Sequence, residues 1–410
     1  MKRSLFVMLF LCSVGSTAFA EPKCTSPSTY SDLIACAELR SPEVQAAQLE
    51  VDRSKALIDA AGQWRNPELS AETFQGKVGG QNQGETDISL AVPIELGGKI
   101  SARKDVARGG LSFAEAKLYE SRAKVRSQIL LKLHRLRQVA HEQEIAEEAI
   151  QTFTKLIGQY SKRPGLSPEQ QISFSVYQLS KSEYELKRSA TAEEIVGLDA
   201  YLKLNLGVGA DQARAVLPLS PKTWPKIGPT GNPRPSPRQQ ILQAELDTAK
   251  AELSLAQSEA WPTLTVGPSM KMQTEAGQSN NLMGVNVSLP LPLFNVNGGA
   301  RAAAAAGVKL NETRRELGLR EQTLRREELR KVYEQSVQSM TTSLSHEDIE
   351  KRHRDAEKLF TKGVVPSALV IEAHRTSFEL EKTRHERELR AIEALLDLYA
   401  IDGNILEVNL

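Results

Sequence analysis

Large side chains are scarce in this chain. Aromatic residues make up 5% of its 410 residues, too few for the large apolar core that a compact enzyme of this length would carry. No Gly-rich phosphate loop, Gly-x-Ser-x-Gly elbow or Cys-x-x-Cys pair occurs, so neither an enzyme nor a cofactor is expected. Charge of one sign is not in excess: 52 Lys and Arg stand against 51 Asp and Glu, so nothing predicts nucleic acid as a partner. Long hydrophobic runs are also missing. A membrane helix needs about 20 apolar residues, and no stretch supplies them, so any spanning of a bilayer is expected from strands closed into a barrel.

Cysteine is limited to three residues. Cys12 lies in segment 1–20, which reads as a secretory signal. Lys2 and Arg3 are its basic start, Leu5 to Cys12 its apolar run, and Ala18-Phe19-Ala20 a cleavage pattern before Glu21. A retained N-terminal anchor is the alternative. Export leaves Cys24 and Cys36 in a compartment where disulfides persist. They are either joined to one another or present as two thiols.

What is present is written twice. Ser41-Pro42 opens a helical segment that ends at Trp64-Arg65-Asn66-Pro67; Ser236-Pro237 opens another that ends at Trp261-Pro262. Each half continues through two alternating segments to a proline and a glycine pair, Pro93 with Gly97-Gly98 and Pro292 with Gly298-Gly299. Each then enters a proline-free stretch, 94–163 and 293–365, that ends in a turn and a further helical segment. The resulting division is a signal (1–20), an N-terminal segment (21–40), a first repeat (41–206), a Pro-rich connector (207–235), a second repeat (236–402) and a tail (403–410). Trp224 and Ile227 suggest that part of the connector packs on the helices.

Period-two alternation predicts four strands, at about 67–75, 85–93, 262–273 and 282–293, joined in pairs by Gly/Asn/Gln-rich loops at 75–84 and 276–281. Met270 and Met272 fit an apolar, lipid-facing side. Four strands are too few to close a barrel, so oligomerisation is expected; a soluble meander capping helices is the alternative. The windows 98–160 and 300–361 are rich in Ala, Leu, Glu, Lys and Arg, and each reaches about 90 Å as a helix. Apolar residues recur near heptad spacing, at Ile129, Leu133, Leu136 and Ala140, then Ile150, Phe153, Ile157 and Tyr160. That is a coiled-coil seam. The fold class is therefore mainly α with a transmembrane β-barrel. Turns at 163–168 and 362–367 send the chain back. His134 and His141 are seven apart, as are His346 and His353. Within one helix that spacing separates rings by roughly 10 Å, too far for one ion, so surface histidines and no metal site are expected.

The duplication, the paired strands and the Gly-containing turns resemble the TolC family of outer-membrane efflux channels. Val92-Pro93-Ile94-Glu95-Leu96-Gly97-Gly98-Lys99 and Leu289-Pro290-Leu291-Pro292-Leu293-Phe294-Asn295 are similar to its CzcC-like heavy-metal efflux subgroup. The resemblance implies a homotrimer in outer-membrane lipid, with a twelve-strand barrel and a twelve-helix periplasmic tunnel. It implies a passive export conduit for heavy-metal cations, docked on a periplasmic adaptor (a membrane fusion protein) and an inner-membrane pump of the RND type. Drug efflux, type I protein secretion and a periplasmic coiled-coil adaptor remain the alternatives. The family's adaptor-contact turns map to Gly165, Leu166 and Ser167, and to Gly363, Val364 and Ser367. Its acidic pore constriction maps to Leu369 and Glu372, of which only Glu372 is acidic. The turn prolines Pro164, Pro168 and Pro366 depart from the family pattern.

Overall fold

The protein is represented by a computed structural model that describes residues 24, 27, 29–228, 234–275, 278–362 and 364–408. The signal segment 1–20 lies outside the described residues. The elements run α1 (Tyr30–Arg40), α2 (Pro42–Ala61), β1 (Glu68–Val78), β2 (Gln81–Glu95), α3 (Lys99–Ser161), α4 (Pro168–Leu206), α5 (Ala210–Arg214), α6 (Pro237–Ser258), β3 (Thr263–Glu275), β4 (Gln278–Ser288), α7 (Gly298–Thr342), α8 (His346–Thr361) and α9 (Ser367–Ile401). One 3₁₀ turn, Ile405–Glu407, closes the chain.

The four strands form one antiparallel sheet in the order β1-β2-β3-β4. The first hairpin is tighter than its composition predicts. Instead of a loop over 75–84, pairing continues to Val78 opposite Gln81. Gly79 and Gly80 take φ of +60° and +83°, the left-handed pair that a two-residue hairpin turn requires. The fourth strand is displaced from its predicted place: it begins at Gln278, inside the predicted loop, and stops at Ser288. Pro290 and Pro292 follow, and neither has an N–H to donate to a ladder. Between β2 and β3 the backbones come close at Gly267, where an added Cβ would lie 1.5 Å from the Leu90 carbonyl oxygen.

The helices α2, α3, α6 and α7 adjoin the strands, and α3 alone is 63 residues long without a break. Its counterpart is not continuous. The sequence predicts one helix through 300–361; the structure has α7 and α8 separated at 343–345. The hydroxyls of Thr341, Thr342 and Ser343 bond carbonyls in the preceding turn, and Ser343 is extended. Ser345 then caps α8, its Oγ accepting from the Asp348 N–H at 3.1 Å. Hydroxyls that satisfy the backbone locally compete with the helical ladder, and here they end it.

The turns back are capped in the same way. Ser167 and Ser236 each form a capping box, with Gln170 and Gln239, and each is followed by proline at the first helical position. The main core lies where α1, α3, α4 and the C-terminal tail meet, around Ile34, Ile129, Leu133, Leu202, Leu206 and Ile405. Cys24 and Cys36 are bonded to each other at its edge. The connector is anchored rather than loose: Trp224 lies edge-on to Tyr333 with centroids 6.1 Å apart, and Tyr333 donates to the Pro225 carbonyl at 2.7 Å.

Candidate functional site

The register of the sheet separates two chemistries. Ala71, Ile88, Met270 and Met283 are aligned across the four strands. Two residues along, Leu69 faces Leu90 and Pro268 faces Val285; further on, Val92, Val266 and Val287 align. Side chains in one row share a face, so this face is apolar. The rows between them carry Ser70, Ser89, Ser269 and Gly284, then Glu72, Asp87 and Lys271. Lys271 pairs with Glu85 on this polar face. Phe74 and Leu282 are the departures on it. An apolar face backed by a polar one is the pattern of a barrel wall with lipid outside and water inside. Among the described residues β1 and β4 each have one unpaired edge, and β4 is exposed along its length.

At the far end of the long helices lie the turns. Leu166 precedes Ser167, whose side chain caps α4; Val364 is exposed and Ser367 opens α9. Gly165 lies in the first turn, while Gly363 lies outside the described residues. Leu369 is exposed on the first turn of α9. Glu372 is also exposed, but its carboxylate is not alone. Arg375 donates to it at 2.7 Å and Thr376 at 3.3 Å. A ring of Glu372 side chains is thus a ring of ion pairs, and this i, i+3 partner weakens the case for an acidic constriction.

The largest departure from the sequence reading is a polar seam where α3 and α9 run antiparallel. His134, His141 and Glu148 of α3 face Glu388, Glu381 and His374 of α9, with one heptad between successive layers. The predicted surface histidines are mostly inside: His134, His353, His374 and His385 are buried, His141 is half-buried and only His346 is exposed. Seven-residue spacing is wrong for two ligands of one ion, yet it is the spacing that brings successive residues into one coiled-coil seam. His141 and His346, His353 and His374, and His385 with Glu142 meet across helices, while His134 bonds Arg137 of its own helix.

The upper layer is an ion-pair network. Arg137 donates to Glu388 at 2.6 Å, Ser220 of the connector at 2.8 Å and Gln138 at 3.1 Å. Burial pushes the Glu388 carboxyl up, but the Arg137 charge and these donors outweigh it and hold the group below its ordinary range. Beside it, burial drives His134 down to about 4, helped by the Arg137 charge and opposed by Glu388. His134 is therefore neutral when folded. Below the ordinary value near 6.5 the unfolded chain takes up a proton that the native chain refuses. Stability is expected to fall as pH drops from 6.5 towards 4, by roughly 3 kcal/mol from this group. Denaturant unfolding across that range checks this: the loss shrinks in His134→Gln, and an identical slope in both proteins would refute the assignment.

Lower on the same helices, Arg135 forms ion pairs with Glu142 and Glu194. Burial opposes its charge, and hydrogen bonds to Glu194 and Glu142 overcome that penalty.

The sequence profile of the family described as "Outer membrane efflux protein" matches residues 33–163. The chain is 27% identical over 285 residues to the cobalt-zinc-cadmium resistance protein CzcC of Cupriavidus metallidurans, covering 67% of this chain and 65% of that one. It is 23% identical over 323 residues to the nickel-cobalt-cadmium resistance protein NccC of Alcaligenes xylosoxydans xylosoxydans, covering 76% and 71%. Its fold is that of the outer membrane protein VceC of Vibrio cholerae, with a TM-score of 0.65 at 18% identity over 92% of this chain and 96% of that one. The chain is similar to outer-membrane efflux proteins in part of its sequence and throughout its fold. The matched profile is that of outer-membrane proteins, and it runs from α1 through α2 and both strands of the first hairpin to the end of α3.

Proposed function

We propose that three copies of this chain assemble a passive outer-membrane export conduit for heavy-metal cations, working with a periplasmic adaptor and an inner-membrane pump of the RND type. The observation that carries the conduit is the four-stranded sheet with one apolar face, one polar face and two unpaired edges. Unsatisfied edges are not tolerated in hydrocarbon, so the sheet reaches closure by joining others. Three copies give twelve strands around a polar lumen. The long helices, α3 and its jointed counterpart, prolong that lumen into the periplasm. The division into two repeats joined by a Pro-rich connector underlies this arrangement, each repeat contributing one hairpin and one set of helices.

The heavy-metal cargo is supported by similarity to CzcC and NccC, whose names record resistance to cobalt, cadmium, zinc and nickel. A conduit conducts by weak, multiple contacts, and the polar face of the sheet offers Ser, Asp, Glu and Lys side chains of that kind. At the other end, Val364 is exposed and Leu166 half-buried on the two turns, and their apolar surface is the part offered to the adaptor.

Deletion of the gene is expected to lower tolerance to at least one of Zn, Co, Cd and Ni, with drug tolerance unchanged. A trimer should be recovered by cross-linking in isolated outer membranes. Loss of drug tolerance alone would overturn the cargo, and a monomer alone would overturn the conduit. Complementation with Leu166→Asp/Val364→Asp should give membrane-borne trimers that fail to restore tolerance; full restoration would remove the turns from the adaptor contact.

A further inference from the structure

We propose that His141, His346 and Glu381 form a resident site for a divalent transition-metal ion in the helical wall. The three residues come from α3, from the first position of α8 and from α9. One ligand atom of each lies within 4.8 Å of the others. His346 Nδ1 is 2.8 Å from Glu381 Oε1, and the His141 and His346 rings meet edge to face with centroids 4.5 Å apart. An ion bound at roughly 2.0–2.1 Å from each atom would need only small side-chain movements to gather them.

The alternative is a hydrogen-bonded histidine seam without an ion. One atom speaks against that. His141 Nε2 is buried and has no hydrogen-bond partner among the described residues. An ion would use that lone pair. Glu381 is buried and supplies the compensating charge. The neighbouring Arg384 is engaged elsewhere, donating to the Met340 carbonyl and to Ser343 Oγ at the end of α7.

The site is also reachable. His141, His346, Glu381 and His385 line a cavity of about 450 Å³ beneath the connector residues Ser220 to Trp224. The cavity leaves a fourth position open to water, as in sites with three protein ligands. His385 stands behind His141 with ring centroids 5.7 Å apart and bonds Glu142 at 2.8 Å. Two imidazoles and one carboxylate suit zinc, cobalt, nickel or cadmium better than magnesium or calcium, which take oxygen.

A second trio one heptad lower, His353, Glu357 and His374, has a different character. His374 already meets His353 Nε2 through Nδ1 at 2.9 Å and faces Glu357 through Nε2 at 3.2 Å. Phe153 and Tyr184 pack on it. Its buried Nε2 has no hydrogen-bond partner among the described residues either, but this trio does not line the cavity, and it serves as the internal control.

The helix break gives the site its position. Ser345 caps α8 immediately before His346, so the first ligand of α8 is placed by the cap itself. A bound ion would then tie α8 to α3, a link that the described hydrogen bonds supply through Thr152 and Glu357 lower down. The inference does not depend on the exported cargo. A conduit for another cargo would hold the same ion, so failure of one reading leaves the other standing.

The test is a titration of the detergent-solubilised full chain with Co²⁺, read by the visible absorption of the bound ion, followed by Zn²⁺ competition. One Co²⁺ per protomer is expected, displaced by Zn²⁺. His346→Ala and Glu381→Gln should each weaken binding at least about tenfold, with unchanged circular dichroism. His353→Gln should leave this affinity in place. Absence of stoichiometric Co²⁺ binding, or wild-type affinity in both His346→Ala and His141→Ala, would overturn the site. Because His346 is half-exposed at its side chain, its variant is expected to fold and keeps the comparison decisive.

Discussion

Ile88→Arg is expected to remove the protein from the outer membrane. Ile88 is the middle residue of β2 and stands in the apolar row with Ala71, Met270 and Met283. A charged residue on the lipid face near the bilayer midplane costs about 2–4 kcal/mol. Every protomer of an assembly carries the change, so the penalty is repeated around the barrel. Ser89→Arg, one residue further on, turns the same guanidinium to the polar row of Ser70 and Ser269 and should be tolerated. Quantifying both variants in the outer-membrane fraction, with gel migration before and after boiling, separates the faces. Equal membrane levels for the two would mean that the register does not divide lipid from lumen.

Loss of the buried Glu388 carboxylate is expected to be as severe for the helices. Glu388→Ala leaves Arg137 without its carboxylate and takes acceptors away from Gln138 and Ser220. Removing one partner of a buried ion pair costs about 3–5 kcal/mol, because the other charge stays in place unpaired. The connector should loosen with it, since Ser220 and the Pro218 carbonyl are both held at this point. Glu372→Ala breaks an exposed pair with Arg375 and should change stability by about 1 kcal/mol or less. Chemical unfolding of both variants in detergent gives the comparison. A cost for Glu388→Ala as small as that for Glu372→Ala would show that the seam does not hold the helices together. Adding Arg137→Ala should restore part of the loss, which tests the pairing itself.

The sequence made some features legible and hid others for physical reasons. Strand alternation is local, so Leu69, Ile88, Val92, Val266 and Val287 could be assigned to one face before any register was known. Hairpin length was less legible. The Gly, Gln and Asn content of 75–84 suits a loop, and only the pairing of Val78 with Gln81 shows that two glycines suffice. The break at 343–345 had a signal, Ser345 three residues before Asp348, but it sits in a proline-free stretch where helix propensity dominates. The histidine seam was the hardest to see. Its contacts join residues such as His134 and Glu388, or His346 and Glu381, that lie far apart in the chain. Periodicity within one helix reports which residues share a stripe and says nothing of what the neighbouring stripe presents. Arg375 beside Glu372, by contrast, was within reach of ordinary helix spacing.

The break between α7 and α8 gives the two halves of the molecule different mechanics. In the first half α3 is an unbroken strut, about 95 Å long at its 63 residues. In the second half the corresponding member is a two-piece linkage, its joint pinned by Arg384 to the Met340 carbonyl and Ser343 Oγ. A load at the tip bends a linkage at its joint and leaves a strut to carry compression. Duplication thus supplied two equal members, and four hydroxyl-bearing residues before His346 turned one of them into a lever. In the proposed trimer such levers would alternate with struts, so a sixfold outline would deform with threefold symmetry.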